Sequence, residues 1–88
     1  MDAVRREATD LVAQLVALQS FSPGAEAALA VAARIHSIAV AVASLESRYP
    51  AMLTRWARGQ RLELKAQAVR LLGAGQLVVT APEWSTLP

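Results

Sequence analysis

Few side chains in this sequence could carry out covalent or acid–base chemistry. It holds one histidine and no cysteine, with nine basic residues set against seven acidic ones. His36 and Ser37 are the one place where a base and a nucleophile stand side by side. Positions one apart on a helix do not face each other, so the two are not expected to form a dyad. His36 recurs at helical spacing between Ala33 and Val40, which reads as a core or interface histidine with one satisfied nitrogen rather than a proton-transfer group. Gly73-Ala74-Gly75 lacks the preceding strand and following helix of a phosphate-cradling loop. No acid pair or metal-ligand spacing is read from the sequence. The expectation is therefore a protein that is not an enzyme and takes no cofactor or metal.

A second set of residues could recognise charge. Arg55, Arg58, Arg61, Lys65 and Arg70 crowd one stretch that has a single acid, Glu63. On a helical wheel Arg58, Arg61 and Lys65 fall within about 60° of one another, with Arg55 bordering them. Such a row could simply be solvated, could meet a protein partner with an acidic surface, or could straddle nucleic-acid phosphates. Three or four phosphate contacts give a salt slope of only about −3 to −4, weak binding at physiological ionic strength, so nucleic acid ranks below protein as a partner. The formal net charge of +2 implies no strong general attraction to polyanions.

Helices must position these residues. Val4, Ala8, Leu11, Leu15 and Leu18 recur at steps of four and three and predict a first helix over about 3–19. Phe21-Ser22-Pro23-Gly24 breaks that pattern, and Ser22 as N-cap with Pro23 in the first helical position predicts a second helix over about 23–47. Val31, Ile35, Ile38, Val42 and Leu45 form its core stripe. Leu29, Ala33, His36, Val40 and Ala43 form a second stripe on the opposite side, so this helix is expected to be enclosed on most sides. Tyr49-Pro50 ends it or bends it sharply. A third helix follows over about 51–72, with Leu53, Ala57, Leu64 and Leu71 on one face and Leu62, Ala66 and Val69 on another. Gly59 marks a candidate kink in it and Gly73 a stop. The last residues, 76–88, read as an extended tail in which Leu77 to Val79 and Trp84 pack on the bundle or enter a partner's groove.

The predicted fold is thus an all-α three-helix bundle over 1–75 with an extended C-terminal tail. Asp2, Glu7 and Asp10 stand where a secretory signal needs a basic and then an apolar stretch. The apolar run from Ala27 to Leu45 contains Arg34, which costs about 2.5 to 3.5 kcal/mol at a bilayer centre, so no membrane span is expected. Together with the lack of cysteine, these features suggest a cytoplasmic protein.

At 1.5 Å per residue the three helices measure roughly 25, 37 and 33 Å, so the first is too short to cover the other two. The end left open is expected to bear Val42, Leu45, Met52, Leu53 and Trp56, with Trp84 from the tail, as an apolar protein interface. The functional expectation is a small helical protein–protein interaction module of the adaptor, assembly or inhibitor type. It would self-associate, most simply as a homodimer, or occupy a partner's surface. The alternative is a nucleic-acid-binding protein using the basic face of the third helix.

Overall fold

The computed structural model describes residues 2–25 and 27–80 and shows the all-α arrangement. α1 (Asp2–Ala17) continues into a 3-10 turn at Leu18–Ser20, and α2 (Ala28–Arg48) and α3 (Pro50–Thr80) follow. Every apolar position that α1 repeats at helical spacing faces inward or borders the core: Val4, Leu11, Leu15 and Leu18 are buried, and Ala8 packs at the margin. α2 buries the predicted stripe Val31, Ile35, Ile38, Val42 and Leu45. α3 buries Leu53, Ala57, Leu64, Ala68 and Leu71. Ala57 and Ala68 are wholly enclosed, and their small size lets α3 approach the others closely. α2 and α3 form the most extensive pairing, while α1 lies chiefly on α2.

The connection between α1 and α2 differs from expectation. Ser22-Pro23-Gly24-Ala25 forms a β-turn rather than the start of a helix: the Ala25 amide donates to the Ser22 carbonyl at 3.1 Å, and Gly24 has φ 80°. Proline at the second position and a positive-φ glycine at the third are the chemistry of a type II turn. α2 therefore begins at Ala28, five residues later than the sequence suggested, behind an N-cap alanine that offers no side-chain acceptor.

Between α2 and α3 one residue suffices. The Tyr49 amide donates to the carbonyls of Leu45 and Glu46, closing α2, and its own carbonyl accepts from the Leu53 amide at 3.0 Å, opening α3. Pro50 takes the first helical position, where its missing N–H is no loss. The helix runs unbroken through Gly59. The break falls at Gly73, with φ 81° and ψ 154°, after which helical turns resume as far as Thr80. Helical backbone thus occupies 76–80 of the expected tail; residues 81–88, Trp84 among them, and the side chains of Leu77 to Val79 lie outside the described residues.

Candidate interaction surface

The residues proposed as an open apolar end do not form one. Val42 and Leu45 are each 1% exposed and Leu53 9%, so all three belong to the bundle's own core. Of that set Met52 is exposed and Trp56 half-buried. The reason lies in the connection. With α2 starting late, ten residues separate it from the end of α1, and α1 slides along the bundle to cover this end. A shallow groove at Trp56 is walled by Arg5, Ala8, Thr9 and Val12 of α1. Beside it Arg48 Nη2 meets Glu7 Oε2 at 2.7 Å, an ion pair between the end of α2 and the start of α1. A second groove of about 250 Å³ between the same helices is lined by Asp10, Gln14, Ala41 and Ser44 among others.

The basic row is likewise divided among tasks. Arg61 Nη1 donates to Glu46 Oε1 at 2.8 Å, with Nη2 3.5 Å from Oε2, tying α3 to α2. The hydrogen bond from Arg61 holds the Glu46 carboxyl below its ordinary value, partial burial opposes this, and the charge of Arg61 adds to the lowering. Arg55 and Arg58 are exposed, and Lys65 is half-buried and already engaged. Arg70, although exposed, reaches back across the bundle. Its Nη2 donates to the Leu18 carbonyl at 2.7 Å, Nη1 to the Phe21 carbonyl at 2.9 Å, and Nε to Gln67 Oε1 at 2.9 Å. Gln67, buried in the core, donates in turn to Glu63. A cation from α3 thereby satisfies carbonyls at the end of the α1 segment, which has no basic residue of its own in its last turn. No local pattern signals this link, since donor and acceptors are about fifty positions apart.

A further open apolar feature is one expected from the sequence to be enclosed. On the side of α2 opposite its core stripe, Leu29 is 78% exposed and Val40 54%. Ala33, His36, Ala43 and Ser47 are exposed beside them. These six positions follow steps of four and three and form one uninterrupted seam along the helix. No charged residue lies on it. Arg34 stands off the seam, its guanidinium 5.1 Å from the centre of the Phe21 ring. His36, expected in a core or an interface, is not in the chain's core. By length and composition α2 is apolar enough to cross a membrane, yet only 28% of its most apolar stretch is buried within the bundle. α3 adds a smaller exposed pair, Leu62 and Val69, each 40% exposed.

Among the described residues no group of three or more metal-ligating side chains comes together. Comparison with family models, with characterised proteins and with solved structures gives no match, so the chain's own geometry is what bears on its role.

Proposed function

We propose that this chain is a small, non-enzymatic interaction module that self-associates, with α2 rather than the α2–α3 end as its contact face. The observation that supports this is the exposure of Leu29 and Val40 on an uncharged seam of a helix whose other face already forms the core. A solvated helix in a globular protein carries polar or charged groups opposite its core stripe, and a helix that is apolar all round is normally enclosed. Contiguous exposed apolar surface of this kind marks an interaction site.

The nucleic-acid reading draws less support. Arg61 is held by Glu46 and Arg70 by backbone carbonyls, which leaves a narrower basic set than the sequence offered. Light scattering coupled to gel filtration tests the proposal. The native chain should show a mass above the monomer at about 100 μM, and Leu29→Glu with Val40→Glu should return it to the monomer. Both positions lie outside the core, so the double variant should keep its helical spectrum, surface changes being worth about 0.5 kcal/mol or less. A monomeric native chain at that concentration would refute the proposal.

A further inference from the structure

We infer that the occupant of the α2 seam is the α2 helix of a second copy, lying antiparallel in one register: Leu29 against Ser47 of the second copy, Ala33 against its Ala43, and His36 against its Val40. This rests on the reading that the chain self-associates and goes beyond it by naming the face, the orientation and the pairing.

Three features of the seam favour this occupant. The first is the matching of sizes. In this register the bulky Leu29 meets the small Ser47, and alanine meets alanine, where neither side chain holds the two backbones apart. Large against small is how facing helix surfaces interdigitate. A parallel pairing would instead set Leu29 on Leu29 and His36 on His36. The second feature is charge. The seam carries none, so a second copy brings no like-charge clash, and antiparallel helices place each dipole's positive end beside the other's negative end.

The third feature is area. From residue 29 to residue 47 the seam runs about 27 Å, and two strips about 12 Å wide cover roughly 650 Å² of plane. That falls short of the roughly 1,000 Å² expected of a stable specific interface and suits a weak, reversible pairing. The pairing is accordingly concentration-dependent. Among the described residues, α1 and α3 pack on the opposite, core-facing stripe of α2, and the seam residues are exposed.

The absence of native cysteine makes the register directly measurable. Ala33→Cys and Ala43→Cys place single thiols on exposed alanines, and unchanged melting would show that both variants fold. A thiol crosslinker about 8 Å long should join the two variants to each other when mixed. It should join neither to itself, because like positions lie about 15 Å apart along the axis in this register. Self-linking of both variants, with no link between them when mixed, would show a parallel pairing, and self-linking of only one would show a different antiparallel register; either result would overturn the inference. No crosslink in any sample, with an oligomeric native mass, would put the interface elsewhere and overturn the inference while self-association stands. A monomeric native mass would remove both. Vesicles of phosphatidylcholine and phosphatidylglycerol provide the remaining arm. If a monomeric chain bound them and Val40→Glu released it, a lipid surface would cover the seam and the inference would fail.

Discussion

Arg70 illustrates how much a single side chain can do in a chain this small. Its guanidinium reaches two backbone carbonyls across the bundle and a buried glutamine on its own helix. Arg70→Met keeps length and apolar stem but removes every donor, so it should lower stability by about 1 to 3 kcal/mol in thermal or urea unfolding. Arg70→Lys should recover only part of the loss, since an ammonium cannot reproduce the planar fork. The Glu46 to Arg61 pair adds a pH signature. Because the folded state lowers the Glu46 carboxyl, the pair's contribution is fully present above the ordinary glutamate range and disappears as pH falls through the lowered value. The pair is partly solvated, with side-chain exposures of 32% and 23%, so the effect is screened and worth about 0.5 to 1 kcal/mol. Arg61→Met should cost about that much at neutral pH and nothing in strong acid, measured by urea midpoints at the two pH values. An equal cost at both would show that Arg61 acts by packing alone.

At the scale of elements, the stripes and the joint at Tyr49-Pro50 were legible, and the joint between α1 and α2 was not. The core stripes of α1, α2 and α3 follow from helical periodicity, because burial selects apolar side chains one turn after another. Ser22-Pro23-Gly24 was ambiguous, since the same three residue types can cap a helix or make a type II turn. Gly24 decides it: at φ 80° it suits the turn and not the first turn of a helix. From that one joint follows the displaced start of α2, the longer connection and the position of α1 over Leu45, Leu53 and Trp56. The error in the expected open end is therefore a consequence of a misplaced boundary and not of a wrong helix. The late start also leaves Ala27 as a helix cap with extended geometry, φ −61° and ψ 134°, and no side-chain acceptor. Ala27→Asp should supply that acceptor and a charge favourable to the helix dipole, raising stability by about 1 kcal/mol. In a chain of this size that corresponds to a rise of roughly 4 to 8 °C in Tm, read from the helical signal at 222 nm. An unchanged Tm would place the start of α2 elsewhere.

For the molecule as a whole, the difficulty in reading function from sequence lay in counting faces. Two apolar stripes on α2 imply two neighbours, and the sequence alone does not say whether both belong to the same chain. The structure assigns one stripe to the core, while the side bearing Leu29, His36 and Val40 stays open. At roughly 0.05 to 0.15 kcal/mol per residue a domain of 88 residues has little stability in reserve, and covering that seam would add to it by mass action. Hydroxyl-radical footprinting over a range of protein concentrations tests this most directly, because it reads side-chain exposure residue by residue in the native chain. The account predicts that oxidation of Leu29, His36 and Val40 falls as concentration rises through the micromolar range, while that of Met52 and Val16, exposed elsewhere on the bundle, stays constant. Seam residues as reactive at high concentration as at low would contradict it.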